Sequence, residues 1–227
     1  MLPNLLKGFE ALGAPGIGEY LAHWGRRAHP VKDQLVHQTH KLFPKQAQMQ
    51  THPIQAELLA LLVQATSAKR CIEVGVFTGL SALCIALALP AEGRLDAFDV
   101  SKEFTDVARE HWKLAEVERK IRLHLGPAVP ALERLLHSGE SASYDFAYID
   151  ADKENGALYH DLCVKLVRKG GMVLIDNALW GGSIVDPNST RPGRADVIRQ
   201  NEMVHKDHRV NTCLLPLGDG LLVSVKK

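Results

Sequence analysis

The sequence carries almost no surplus charge: 27 lysines and arginines stand against 26 aspartates and glutamates, a formal net charge of +1. That balance removes the electrostatic basis for nucleic acid or an anionic membrane surface as a partner. Cysteine is scarce and scattered. Cys71, Cys84, Cys163 and Cys213 form no CxxC pair, and three of them sit inside apolar runs. They read as small core residues of a reducing compartment rather than a disulfide framework or a zinc site. No apolar run approaches the roughly 20 residues that cross a bilayer. The opening MLPNLLKGFEALGAPG has no basic cluster leading into an unbroken apolar segment, so no secretory signal is expected there. Internal repeats, low-complexity tracts and the GxGxxG dinucleotide fingerprint are also missing.

What is there is a rhythm. With 46% hydrophobic residues in 227, the chain can bury a substantial core. From about Met49 onward, apolar strand-like runs alternate with helical patterns. IQAELLALLVQA, SALCIALALP, TDVAREHWKLAEV, VPALERLLHSG and ALYHDLCVKLV read as helices. RCIEVGV, RLDAFDV, KIRLHLG, YDFAYID and GGMVLID read as the strands between them. Such alternation predicts right-handed βαβ units and a mainly parallel α/β sheet covered on both faces. The tail TCLLPLGDGLLVSVKK holds two strand-like runs joined through Gly218-Asp219-Gly220, which predicts an antiparallel hairpin at one sheet edge. The expectation is a single cytoplasmic domain over 1–227, with 1–48 a helical extension lying on a 49–227 core.

Four strands close in acids or amides: Glu73, Asp99, Asp150 with Asp152, and Asp176 with Asn177. In an open parallel sheet ligands bind outside the carboxyl ends of the strands, near the switch in strand order, so the four would line one edge. Glu73-Val74-Gly75-Val76-Phe77-Thr78-Gly79 follows a strand and opens a helix, and its glycines let backbone approach a ligand closely. Asp99, closing the next strand, stands where a carboxylate accepts hydrogen bonds from ribose hydroxyls, or where a buried strand simply meets water. Asp150, Asp176 and Asn177 offer hard oxygen donors without thiol or imidazole. That set suits Mg²⁺ or Ca²⁺, Mg²⁺ better where few protein ligands leave room for other oxygens, and the plain alternative is a turn capped by Asp176-Asn177. Lys153 is a candidate general base if a nearby cation and partial burial disfavour its charge, and otherwise a solvated lysine. Eleven histidines include His37 and His40 at helical spacing, but none pairs with cysteine in a zinc pattern.

At these residues the sequence resembles the cation-dependent S-adenosylmethionine O-methyltransferases, the group of caffeoyl-CoA and catechol O-methyltransferases, in its bacterial-type branch. The resemblance runs from about Met49 to the C-terminus and rests on IEVGVFTGLSAL, FDVSKE, GPAVPAL, DADKEN, GGMVLIDNALWGGSIVDP and LPLGDGL in that order. It implies a Rossmann-like class I methyltransferase fold with a seven-stranded sheet, and a homodimer. It implies that Glu73, Gly75, Val76 and Ser81 contact the methionine part or sugar of S-adenosylmethionine and that Asp99 binds its ribose. Ala128 would present its backbone to the adenine, Thr51 would close over the cofactor, and Asp152 would meet its amino group. Asp150, Asp176 and Asn177 would hold Mg²⁺ or another divalent cation such as Mn²⁺ or Ca²⁺. Lys153 would take the proton of a small aromatic hydroxyl acceptor, with a catechol as the natural one. The sequence departs from the plant pattern at Gly181, where asparagine is usual, and in DPNSTRPGRADVIRQNEM, which lacks the substrate-binding tyrosines and matches an arginine only loosely at Arg194. The acceptor therefore need not be a CoA ester. A nucleotide-dependent dehydrogenase, or a binding protein of the same fold without turnover, are the competing readings.

Overall fold

The computed structural model describes residues 16–227, so the first fifteen residues of the expected extension lie outside the described residues. The remainder of that extension is helical: α1 (Ile17–Trp24) and α2 (Pro30–Leu42). Proline at the first turn of α2 starts that helix without wasting a backbone donor. Leu35 and Val36 then bury its inner face in the core, and Lys32 pairs with Glu57 across to α3 (Pro53–Ala65). Phe43, just past α2, stands edge-on to Phe104 with ring centroids 4.9 Å apart, and Phe104 meets Phe77 at 4.7 Å.

From there the chain alternates as expected: β1 (Arg70–Val74), α4 (Leu80–Ala88), β2 (Arg94–Asp99), α5 (Lys102–Leu114), β3 (Ile121–Leu125), α6 (Ala128–His137), β4 (Tyr144–Ile149), α7 (Gly156–Leu166) and β5 (Val167–Ile175). One helix was not foreseen, α8 (Arg194–Lys206), and it leads into β6 (Val210–Leu215) and β7 (Leu221–Lys226). Helix α8 buries only Val197, Gln200 and Val204, so its apolar stripe is too thin to stand out in the sequence. Helix α5 begins three residues earlier than its apolar pattern suggests, because Ser101 caps it by accepting from the Phe104 N–H at 3.3 Å.

The seven strands form one sheet in the order β3-β2-β1-β4-β5-β7-β6. Strands β1 to β5 pair in parallel, while β7 runs antiparallel to both β5 and β6. Side chains alternate between the two faces with the period of two that a strand imposes. Cys71, Phe146, Tyr148 and Leu174 join one core layer, whereas Ile72, Ala147, Ile149 and Ile175 join the other. The first layer packs under α2 to α5 and the second under α6 to α8.

Strand order reverses between β1 and β4, and there the two loops touch. Gly75 has φ +91°, and a Cβ on it would lie 2.0 Å from the Asp150 carbonyl oxygen. Only glycine lets the first loop pass this close to the end of β4. Gly75→Ala is therefore expected to destabilise the protein by about 2–5 kcal/mol, from left-handed strain plus overpacking. Urea denaturation checks this, and a change below 0.5 kcal/mol (about the scatter of a neutral surface substitution) would show that the loop has room to spare.

Candidate active site

The carboxyl ends of β1, β2, β4 and β5 open into a cavity of about 1320 Å³. Thr51, Gly75, Val76, Asp99, Ala128, Asp150, Asp152, Lys153, Asp176 and Asn177 all line it. Glu73 and Ser81 do not. Both are buried beneath the loop and hydrogen-bonded to each other, with the second Glu73 oxygen unpartnered. In this arrangement the two support the loop from below. Position along the strand explains it: Glu73 lies within β1, one residue before its end, on the face that α4 covers.

Asp99, the last residue of β2, does line the cavity. Its Oδ2 accepts the Val76 and Phe77 N–H groups at 2.8 and 2.9 Å, and its Oδ1 accepts the Ser101 N–H at 2.7 Å. A carboxylate has about four acceptor positions, so this one keeps about one for a ligand hydroxyl. Its first task is to pin the glycine loop. The loop is held again from its far end, where Thr78 Oγ1 bonds Thr39 Oγ1 at 2.8 Å and the Gln50 amide reaches both hydroxyls.

Asp150 and Asp176 follow β4 and β5 directly, and the register Ile149↔Ile175 sets them side by side on neighbouring strands. Strands in a sheet run about 4.8 Å apart, so the two carboxylates repel at short range with little water between them. Burial, then Asp176, push Asp150 up to about 7 against the pull of Lys153, whose Nζ stands 3.5 Å from its Oδ1. Asp176 is held at both oxygens: Tyr148 donates to Oδ2 at 2.6 Å and the Asn177 N–H donates to Oδ1 at 2.6 Å. Asn177 itself sits at φ +59°, a conformation that asparagine tolerates better than most residues.

A third acid joins them. Asp219, from the turn between β6 and β7, lines the cavity and accepts the Gly181 N–H at 2.5 Å, and burial raises its carboxyl. Among the described residues no three histidine, cysteine or acidic side chains stand close enough together to hold a metal, so a cation here would need the Asn177 amide as its third oxygen. Asp152 projects from the rim, where Asn155 Nδ2 and Tyr159 Oη donate to its two oxygens, each at 2.6 Å.

The cavity's outer wall is the turn Trp180–Val185, fastened by α8. Arg194 Nε donates to the Ser183 carbonyl at 2.7 Å, and Asn201 donates to the Ala178 carbonyl at 2.7 Å. Arg194 thus braces the wall and is not one of the lining residues. At Gly181, the departure from the plant pattern, a Cβ would lie 2.0 Å from Nη1 of Arg191. The missing side chain makes room for that guanidinium, which stacks 4.5 Å over the Trp180 ring.

The model of the O-methyltransferase family matches residues 23–227. The chain belongs to that family. It is 43% identical over 179 residues to "Probable caffeoyl-CoA O-methyltransferase 2" of Dictyostelium discoideum, covering 78% of each chain. It is 43% identical over 172 residues to "Catechol O-methyltransferase domain-containing protein 1" of Mus musculus, covering 76% of this chain and 66% of that one. Among solved structures, an O-methyltransferase from Bacillus cereus in complex with SAH superposes with a TM-score of 0.84 at 25% identity, over 93% of this chain and 97% of that one.

In this O-methyltransferase four site residues escape a sequence reading. Asp219 hides in a turn whose glycines drew the attention. Tyr148 and Gln55 meet at 3.0 Å from positions 93 residues apart. Arg191 shows itself only through the space at Gly181. The available signals were a lone phenol in the apolar run FAYI and a lone acid between two glycines.

Glu73 yields a test that needs no ligand. Burial pushes its carboxyl from 4.5 up to about 8, against the hydroxyl of Ser81. Between those values the folded state keeps a proton that the unfolded chain has lost, so stability must fall as pH rises from about 5 to 8, by at most about 1.4 kcal/mol per pH unit. Glu73→Gln should flatten that slope and stabilise the free protein above neutrality. Urea titrations of both proteins at pH 5, 6, 7 and 8 check it, and parallel slopes would contradict it.

Proposed function

We propose that this chain is an S-adenosylmethionine-dependent and divalent-cation-dependent O-methyltransferase whose acceptor is a small aromatic carrying two adjacent hydroxyls. The observation that carries the reading is the pairing of Asp150 with Asp176, beside Asn177, in the same cavity as the Gly75 loop and Asp99. A single drug-sized ligand fills roughly 300–1,000 Å³, and 1320 Å³ leaves room for a cofactor and an acceptor together. SAH sits in the Bacillus cereus relative, and catechol and caffeoyl-CoA appear in the names of two others. Both acceptor names denote vicinal dihydroxy aromatics. The working unit under this reading is a homodimer, as the family resemblance implies.

When bound, the cofactor supplies an electrophilic methyl group and the divalent cation supplies charge stabilisation for a phenolate oxygen. The chain's own residues do the rest. The Gly75 loop and Asp99 bind the nucleoside side, with Ala128 at its adenine end and Asp152 at its amino end. Asp150, Asp176 and Asn177 are the hard oxygens for Mg²⁺, Mn²⁺ or Ca²⁺. Lys153 is partly buried between Asp150 and Trp180, its Nζ 5.6 Å from the ring centroid, and from there it takes the acceptor's proton. Trp180 gives an aromatic acceptor a flat surface and keeps water from the reacting oxygen.

The magnitudes favour a cation. A phenol ionises near pH 10. A divalent charge about 4 Å away, at an effective dielectric near 20, favours the oxyanion by roughly 8 kcal/mol before desolvation costs. A quarter of that, about 2 kcal/mol, already multiplies the ionised fraction more than tenfold. A diol can also chelate, and chelation aligns one oxygen for in-line attack.

Removal of divalent ions with EDTA is expected to lower methylation of a catechol on the order of 100-fold or more, restored by added Mg²⁺. Asp176→Ala should behave like the stripped enzyme even with Mg²⁺ present, and a monohydroxy analogue should react far more slowly than the diol. S-Adenosylmethionine binding, measured by calorimetry, should survive EDTA. Full activity in EDTA, or equal rates on phenol and catechol, would overturn the reading.

A further inference from the structure

We propose that Tyr148 is a positioning residue for the cation: its phenol fixes the Asp176 carboxylate, and Gln55 fixes the phenol. The inference rests on the metal-dependent reading above and assigns a role to two buried residues.

Tyr148 lies on β4 two residues before Asp150, so both side chains leave the same face of the sheet. Leu174 and Asp176 on β5 share that face, in register with Tyr148 and the position after Ile149. The phenol is fully buried and its oxygen stands at the inner end of the acidic pair. It donates to Asp176 Oδ2 at 2.6 Å and accepts from Gln55 Nε2 at 3.0 Å. Gln55 is itself 1% exposed, on the first turns of α3, and with Thr51 and His52 it lines the cavity.

A buried tyrosine in a core needs some acceptor for its hydroxyl, and a backbone carbonyl would serve. Here the acceptor is one oxygen of a carboxylate that reaches the cavity, and the other oxygen is held by the Asn177 N–H. The two bonds together remove rotation of the carboxylate about its last torsion. Each oxygen keeps one acceptor position, which a cation could take. Asp150 is held far more loosely, by Lys153 at 3.5 Å. The pair is thus asymmetric: Asp176 is the fixed ligand and Asp150 the one that adjusts. Partners of metal-binding carboxylates in other proteins are worth about 10–100-fold in metal affinity.

The test is direct titration of the whole protein with Mn²⁺, following free Mn²⁺ by electron paramagnetic resonance, with calorimetry of S-adenosylmethionine alongside. Tyr148→Phe should weaken Mn²⁺ binding about tenfold while leaving cofactor affinity within about twofold. In turnover it should raise the Mn²⁺ concentration for half-maximal rate by the same factor and leave kcat at saturating Mn²⁺ near wild type, a split that general loosening of the core would not produce. Gln55→Leu keeps the Tyr148–Asp176 bond and should weaken binding by a smaller factor, about threefold. It decides the matter if Tyr148→Phe does not fold. Wild-type Mn²⁺ affinity in the variant that folds, or an equal loss of Mn²⁺ and cofactor affinity, overturns the positioning role. A wild-type protein that binds cofactor but no Mn²⁺ overturns instead the metal reading on which it rests.

Discussion

Two carboxylates are forced together where β4 and β5 end, and most of the site is arranged around that repulsion. Parallel pairing with Ile149 opposite Ile175 leaves Asp150 and Asp176 no way to separate without breaking the sheet register. The strands are buried on both faces, so water does little to screen the two charges. Partial relief comes from Lys153 beside Asp150, from Tyr148 and the Asn177 N–H on Asp176, and from a proton held on Asp150 up to about pH 7. Asp219 adds a third acid rather than a counter-charge. Under the proposed reading, a cation is what would complete the neutralisation of this cluster.

The other half of the cavity is built on backbone. Gly75 allows the first loop to press on the Asp150 carbonyl, and Asp99 gathers three N–H groups that hold the loop open toward the ligand. Glu73 and Ser81 stiffen it from beneath. The two halves meet at the switch in strand order, the place where open parallel sheets bind ligands. Elements outside the alternating core then close the walls. Thr39 and Gln50 tie the N-terminal helices to Thr78, and α8 fastens the turn that carries Trp180. Much of the chain outside the sheet therefore serves to fix the walls of one cavity.

The strands were legible because most are short apolar runs, and four of them carry an acid at or near the carboxyl end, a recurrence that strand ends meeting water explain less well than one shared site. That pattern alone pointed to the cavity edge, and the order of the motifs pointed to the family. Less visible were features that depend on distance rather than on type. Helix α8 is polar over most of its surface, so nothing in its sequence separates it from a loop. Glu73 resembles its neighbours in the motif, yet it sits inside β1, one residue short of the strand end, and is buried instead of lining the cavity. Tyr148 and Gln55 touch only because α3 lies across β4, and no local pattern records that crossing. Asp219 needed the β6–β7 turn to be placed beside Gly181 before it could count as part of the site.

The central claim is that the ends of β4 and β5 together hold one divalent ion. Crystals grown with Mn²⁺ and S-adenosylhomocysteine, measured near the manganese absorption edge, locate that ion by its anomalous scattering. The account predicts a single strong peak within oxygen-ligand distance of Asp150, Asp176 and Asn177. A well-ordered cofactor with no peak at those residues, or a peak bound elsewhere in the chain, would contradict it.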